Sequence, residues 1–454
     1  MLLENSSFNL KNIQAPCEDC IKLWISSVED YKNMGNVVLE PSPCNKNKYR
    51  ELEVSFSNEG VEYKGIYFPH PECTSHLISL QKYSLDIMES GIWSPIKKII
   101  KKEDCDDGVY IYIALIDSPS NVKFPYLVGR GIDNDESLSH IKAVAEALER
   151  YSACLPPRTR LHYGKANEFE NVIVNCIKNY TKDIWWCEGE DLLTKQLKYL
   201  PIEYVQLESL STVKDPIFNS DSTGMAIHPN YKDAINIGLS EVLERKDLYE
   251  IVTQSFSPVL WDNSSLPEEA KRFITLFENR GYNTLIIPHS SVKGFTSCII
   301  LLVKQHKTNN GPALICGAGG AWSKKESLLK GLMEAYAQLI HGLEVGELDR
   351  QIREYNFSDP YHHFLYYFNS ENANNLLENW GIYQSLHVDF KEYSDFKTSL
   401  EAKAKVIEKE LVVVDRGNIL TDFLNLSAIQ IVAPEIPRIS PTTLGPGNMP
   451  HPFS

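Results

Sequence analysis

Residues 139–153 read SHIKAVAEALERYSA, from Ser139 to Ala153. At about 100° per residue, Ile141, Val144, Ala145 and Leu148 gather on one face of a helix. Lys142, Glu146, Glu149 and Arg150 gather on another, within about 100° of arc. Ala143 and Ala147 border that polar stripe, so both flanks can pack closely. For one helix alone, the plain reading is a solvated face laced by i,i+4 ion pairs. Recurrence of the pattern shifts that reading.

Three segments share one plan: a glycine-containing turn, a polar linker, then an amphipathic helix with acids near its end. They are Gly129 to Arg150, Ser222 to Arg245 and Gly317 to Gln338. Gly131 lies fifteen residues before Glu146, Gly224 seventeen before Glu241, and Gly319 fifteen before Glu334. ExxER occurs at Glu146, Glu149 and Arg150, and again at Glu241, Glu244 and Arg245. The third segment offers Glu334 and Gln338, one turn apart.

Acids at i and i+3 project from one helical face and can reach one ion. Two such helices facing each other present four carboxylates, which repel strongly unless they bind cations, share protons or stay apart. Mg2+ suits a few carboxylates, its shell completed by water and phosphate oxygens. Arg150 and Arg245 are placed to take phosphate oxygens bidentately. The glycines of GRG (129–131), STG (222–224) and GAGG (317–320) would let backbone N–H groups approach a phosphate. The combination reads as an Mg2+–nucleotide site, and no GxxxxGK[ST] motif is present.

The 454 residues allow two or three domains, and 43% hydrophobic with 23% charged residues is ordinary for a globular chain. A net charge of −15 argues against nucleic-acid or membrane-surface binding, and means that a polyphosphate is held through bridging cations. MLLENSSFNL (1–10) lacks a basic region followed by a long apolar one, and no run of eighteen apolar residues occurs. A cytoplasmic protein is expected, with its ten cysteines reduced or metal-bound.

Strand-like runs appear at Val109 to Ile116, Tyr282 to Ser290, Thr296 to Gln305, Ala313 to Gly320 and Glu410 to Gly417, with helical patterns between many of them. They indicate an α/β or α+β body. The charged run Lys97 to Gly108 reads as an exposed connection. Near the N-terminus, Cys17 and Cys20 form C-x2-C, and after 52 residues Cys73 and His76 form C-x2-H. Such paired soft ligands suit tetrahedral Zn2+. The alternative is two unrelated pairs of buried thiols, and Cys44 is a substitute ligand.

At these residues the chain resembles the YcaO family of ATP-dependent enzymes that modify peptide backbone amides. The family pattern is matched by GRG (129–131), KAVAEALER (142–150), STGMA (222–226), EVLERKD (241–247) and EAYAQ (334–338). Arg130 stands for the usual lysine, Lys142 for a common serine and Thr223 for an asparagine. The resemblance covers about residues 85 to 454, and is nearest to the D component of thiazole/oxazole synthetases of the streptolysin S type. It implies a YcaO domain over 86–454, with repeated glycine-turn and acidic-helix units around a nucleotide site. It also implies that 1–85 is a zinc-binding segment similar to part of a ubiquitin-activating-type module.

The resemblance further implies ATP- and Mg2+-dependent cyclodehydration of Cys, Ser or Thr in a ribosomal precursor peptide. The side chain attacks the preceding carbonyl, the resulting oxygen is phosphorylated by ATP, and phosphate leaves to give thiazoline or oxazoline. Glu146, Glu149, Glu241, Glu244 and Glu334 are the expected Mg2+ ligands. Arg130, Lys142, Arg150, Ser222, Arg245 and Gln338 are expected on the nucleotide side. Glu149 and Glu244 are also expected in catalysis, with Pro450, Pro452 and Ser454 of the tail GPGNMPHPFS (445–454). Prolines stiffen such a tail and lower its ordering entropy. His228 and His451 are the candidate bases, a structural role weighing more for each. Expected partners are the precursor peptide, a leader-binding ubiquitin-activating-type chain, a flavin-dependent dehydrogenase and a second copy in a homodimeric core. The alternatives are thioamide or amidine formation on the same site, or a non-catalytic precursor-docking scaffold.

Overall fold

Val37–Pro41 (β1), Leu52–Phe56 (β2) and Glu62–Tyr63 (β3) pair antiparallel in that order. The structure is a computed structural model. Besides these strands, it describes the chain from Ser94 on, except residues 103–107, 120–124, 174–180, 208–220, 254–257, 306–310, 347–354, 358, 393–398, 441–442, 446–448 and 454. The expected zinc ligands Cys17, Cys20, Cys73 and His76, the substitute Cys44, and the tail residue Ser454 lie outside the described residues.

Ile96–Lys101 (β4), Tyr110–Asp117 (β5) and Tyr126–Asp133 (β6) form an antiparallel meander. The start of the charged run at Lys97 is therefore strand rather than exposed connection. Ile96 is fully buried, and Lys97, Lys98 and Lys101 are carried on the partly solvated remainder of β4. The helix Glu136–Cys154 (α1) comes next, capped by Asp135, whose side chain accepts the Leu138 N–H at 3.1 Å. Ala143, Val144, Ala147 and Leu148 are buried on its inner face.

α1 lies almost directly on the β6 backbone, and the GRG glycines are the reason. A Cβ at Gly131 would stand 1.8 Å from the Ser139 carbonyl oxygen, and one at Gly129 2.2 Å from that of Ala143. The Ser139 hydroxyl pins the contact, donating to Tyr110 O at 2.8 Å and Gly131 O at 3.0 Å.

Leu161–Gly164 (β7), Ile184–Asp191 (β8), Leu197–Pro201 (β9) and Met225–His228 (β10) belong to a second sheet, in the order β10-β17-β16-β8-β7 with β9 beside β8. Tyr231–Thr253 (α2) packs on this sheet through Leu239, Val242 and Leu243 against Ile429 and Ile431. Val259–Trp261 (β11) and Glu268–Asn279 (α3) lead into another antiparallel meander: Tyr282–His289 (β12), Thr296–Lys304 (β13) and Leu314–Ala321 (β14). Lys324–Val345 (α4) then lies on β14. A Cβ at Gly317 would meet Ala335 N at 2.3 Å, and one at Gly319 would meet Gly331 N at 2.4 Å. The Ser327 hydroxyl donates to Gly319 O at 2.7 Å, as Ser139 does to Gly131, eight residues apart in both cases. Pro360–Tyr366 (α5) packs Phe364 near Gly342 of α4. Leu386–Val388 (β15), parallel to β11, precedes Val412–Asp415 (β16) and Ser427–Val432 (β17) of the central sheet.

The body is thus a mixed α/β fold of antiparallel sheets with helices laid on them. GRG and GAGG sit inside β6 and β14 rather than in turns, because their glycines supply room for a helix, not unusual backbone angles. Of the three glycine motifs only STG carries a positive φ, +79° at Gly224.

Candidate active site

β6 and β14 stand at the open edges of their meanders, where backbone N–H groups have no neighbouring strand. Glutamates from the adjoining helices take them. Arg130 N donates to Glu146 Oε2 at 2.7 Å, and Gly320 N donates to Glu244 Oε2 at 2.7 Å. At the STG turn, Gly224 N donates to Glu241 Oε2 at 3.1 Å. The N–H groups of Arg130, Gly224 and Gly320 are therefore bonded to carboxylates, where the sequence reading placed phosphate.

The acids of different helices are near enough to act on one another. Glu149 of α1 is held well above the ordinary carboxylate range, by burial first and then by the charges of Glu241 and Glu146, with Arg150 opposing. Glu241 of α2 is pushed up to about 7 by burial, opposed by Arg245 and aided by Glu244. Glu244 is raised by burial, opposed by Arg245 and aided by Glu334 of α4. So the charge of Glu241 on α2 acts on Glu149 of α1, and that of Glu334 on α4 acts on Glu244 of α2. Gln338 donates to Glu334 Oε1 at 3.2 Å from a buried position.

Cations do not balance this set. Arg150 Nη2 sits 2.5 Å from Glu146 Oε1, and Arg245 Nε 3.8 Å from Glu241 Oε1, each one turn along its own helix. These are the pairs of a plain charge stripe, yet they sit on a converging, partly buried cluster. Lys142 is drawn to Asp133 at 2.6 Å and is half exposed. Arg130 is half-buried, and its charge reaches His341 of α4, whose pKa is lowered by burial and then by Arg130. Ser222 is half-buried at the turn into β10, its carbonyl accepting Met225 N at 2.9 Å.

A sequence profile described as YcaO cyclodehydratase, ATP- and Mg2+-binding, matches residues 128–436, more than half of the chain. The chain belongs to the YcaO family. The YcaO fold is also similar to solved structures: YcaO from Methanopyrus kandleri bound with AMPPCP and Mg2+ (15% identity, TM-score 0.58, 78% of this chain and 91% of that one); a heterocyclase in complex with substrate and cofactor (14%, 0.69, 88% and 61%); and the E. coli microcin synthetase McbBCD complex (15%, 0.57, 74% and 87%). At such identities the likeness shows the fold. This chain spans 61% of the heterocyclase chain's length. No curated protein matches the sequence.

The residues of this YcaO chain fit a hard dication. Three half-buried carboxyls are raised toward neutrality by burial and mutual charge, which is the state that oxygen-liganded Mg2+ relieves. A pH dependence results. A folded pKa above the free value near 4.5 means that the stability Glu241 contributes is complete below about pH 4.5 and is lost as pH rises toward about 7, and the raised Glu149 and Glu244 act in the same direction. Glu241 accounts for roughly 2 kcal/mol of this, allowing for its partial exposure. Without divalent cations the thermal midpoint should fall across that window, and the gain on adding Mg2+ should grow across it. Midpoints with and without Mg2+ at about pH 5 and about pH 7.5 check this; a gain of equal size at both would contradict it.

Two residues to which the sequence alone assigns no role belong to the surroundings of the YcaO site. Asp221 holds Arg438 Nε at 3.0 Å and accepts Thr223 N at 2.9 Å, fixing the STG turn. Asp247, fully buried, accepts from Ser297 Oγ at 2.7 Å and from Ser291 Oγ. Ser297 is the register partner of Gly320, so Asp247 and Glu244 fasten α2 to the same rung of the β13–β14 ladder. The signal for Asp247 was its place three residues after Glu244. Of the candidate bases, His228 accepts Asn230 N at 3.0 Å beside the start of α2. His451 is buried with Pro450 and Pro452 in the tail, and its pKa is lowered to about 4, chiefly by burial.

Proposed function

We propose that this chain is the ATP- and Mg2+-dependent cyclodehydratase of a peptide-modifying synthetase, converting Cys, Ser or Thr of a ribosomal precursor peptide to thiazoline or oxazoline. One arrangement carries the reading: acids on three helices are brought into one partly buried cluster, where burial first and then neighbouring carboxylates hold Glu149, Glu241 and Glu244 above their ordinary range, in a family described as ATP- and Mg2+-binding. Glu146, Glu149, Glu241, Glu244 and Glu334 would hold Mg2+. Arg130, Lys142, Arg150, Ser222, Arg245 and Gln338 would face the nucleotide. ATP bound with Mg2+ supplies the phosphoryl group that carries the amide oxygen away. Arg150 and Arg245, each paired one turn back with Glu146 and Glu241, would be placed to take phosphate oxygens bidentately where those acids hold Mg2+. The same guanidiniums then stabilise charge on the transferring group. The tail with Pro450, Pro452 and Ser454 serves the peptide side of the reaction.

A heterocyclase described with substrate and cofactor, and a microcin synthetase complex described with pro-MccB17 bound, support a peptide substrate and partner chains here as well. The proposed partners are a leader-binding ubiquitin-activating-type chain, a flavin-dependent dehydrogenase acting on the azolines, and a second copy of this chain. Zn2+ on Cys17, Cys20, Cys73 and His76 would belong to a 1–85 segment, ahead of a YcaO domain over 86–454, in a cytoplasmic protein. Among the described residues no helix is long and apolar enough to cross a membrane.

The test is mass spectrometry of a candidate precursor incubated with the protein, ATP, Mg2+ and a leader-binding chain. Loss of one water per modified residue is expected. ATP consumption with sulfur gained in place of oxygen would instead point to thioamide formation. Ending the chain after Gly447 should lower dehydration by at least about tenfold while nucleotide affinity changes little. Equal loss of both would indicate damaged folding.

A further inference from the structure

The C-terminal segment is built into the protein, with Leu444 and Gly445 paired to Met449 and Pro450. Ile439 N donates to Arg245 O at 3.3 Å, so the segment departs from α2 at the arginine of the second ExxER. Leu444 then bridges Pro450 antiparallel, and Gly445 N donates to Met449 O at 2.8 Å. Gly445 lies along the end of α2, where a Cβ would come within 3.2 Å of Val252 O. Phe453 is buried in the cluster that contains Leu248, Ile251 and Val252 of α2.

Two side chains one helical turn apart grip the returning strand. Tyr367 Oη donates to Pro450 O at 2.5 Å, and His363 Nδ1 bonds His451 O at 3.0 Å. Both are almost fully buried. They take successive backbone carbonyls, which suits a segment whose prolines have no N–H to offer. The His363 and His451 rings lie 4.3 Å apart at 40°, and His451 Nε2 donates to Ser440 O at 2.9 Å. The grip is anchored from behind. His363 Nε2 lies 2.9 Å from Phe357 O, while Tyr367 O receives Ala313 N at 2.9 Å and Leu314 N at 3.1 Å, where β14 begins. β14 ends at the Gly320 N–H that holds Glu244. The same strand therefore fixes a metal-side carboxylate at one end and the tail clamp at the other.

We propose that His363 and Tyr367 are positioning residues that fix the C-terminal tail beside α2, so that peptide dehydration depends on them. This rests on the reading of the tail as part of the dehydrating machinery. A tail held by two backbone carbonyls keeps one path whatever its side chains do. Release of either carbonyl frees the last residues while leaving the carboxylate helices in place.

The experiment uses the full chain as wild type, Tyr367→Phe, His363→Gln and the form ending after Gly447. Phe keeps the ring and removes only the hydroxyl, and Gln keeps a donor near His451 O. Timed carboxypeptidase digestion, read by intact mass, needs no peptide substrate. Trimming past Phe453 should be at least about tenfold faster in Tyr367→Phe than in wild type, with His363→Gln between them. In the dehydration assay, kcat for water loss should fall about tenfold in Tyr367→Phe, with KM for ATP unchanged and the thermal midpoint lowered by no more than a few degrees. Trimming at the wild-type rate in both variants would overturn the clamp. Unchanged kcat in Tyr367→Phe would do so too, and if the truncated form is inactive the tail reading survives alone. Wild-type activity in the truncated form would overturn both.

Discussion

Glu149→Gln and Glu244→Gln are each expected to lower Mg2+-dependent ATP turnover by about a thousandfold, while the variants stay folded and melt no lower than wild type. Glutamine keeps the shape and can still accept the Gly320 N–H that Glu244 now holds. It cannot bring negative charge to a cation. The stability forecast rests on the same electrostatics. Both carboxyls sit above their ordinary range in the cation-free protein, so at neutral pH their ionisation costs stability that glutamine does not. A gain in melting temperature with loss of turnover is the mark of a site that trades stability for function. Turnover rates together with thermal midpoints in metal-free buffer decide it. Ordinary surface pairs would give the reverse, with turnover kept.

The second large effect is on folding. Gly131→Ala and Gly319→Ala should each cost about 3 kcal/mol or more, seen as a large fall in thermal midpoint and soluble yield. The added methyl at Gly131 would stand 1.8 Å from Ser139 O and 2.5 Å from Ala143 N. At Gly319 it would meet Gly331 N at 2.4 Å and Ser327 O at 2.5 Å. These are backbone atoms of α1 and α4, so relief requires moving a whole helix. Gly381→Ala is the control. Its φ is +64° and ψ 24°, left-handed, but its nearest neighbour is 4.0 Å away, so only backbone strain of about 1 kcal/mol is expected. Equal midpoints for all three variants would refute the close-packing account.

The contrast between these two predictions shows what the sequence disclosed. Apolar runs marked β5, β12, β13, β14 and β16 to within a few residues; β13, β14 and most of β16 are buried on both faces and need no polar alternation. The two ExxER repeats located the acids, because i,i+3 spacing fixes which side chains share a face. Glycine was harder. GRG and GAGG carry a residue that serves equally for a turn or for close approach, and the letters cannot say which is needed. β4 was hidden because its lysines ride on a strand only partly buried. The N–H groups taken by Glu146, Glu241 and Glu244 are backbone, and no residue type announces them. His363 and Tyr367 likewise act on carbonyls 88 and 83 residues away, a relation with no local period. Arg416 is the extreme case: buried, it donates to the Ser152, Ala153 and Leu155 carbonyls at the end of α1. That places a cap for the first acid helix more than 260 positions downstream.

The central claim is that acids of three separate helices make one cation and nucleotide site. Calorimetric titration with AMPPCP, with and without Mg2+, tests it on wild type and on Glu149→Gln, Glu244→Gln and Glu334→Gln, one variant per helix. Binding that requires Mg2+ in wild type, and falls by at least about a hundredfold in each variant, is the predicted result. Wild-type affinity in any one variant would detach that helix from the site, and wild-type affinity in all three would contradict the account.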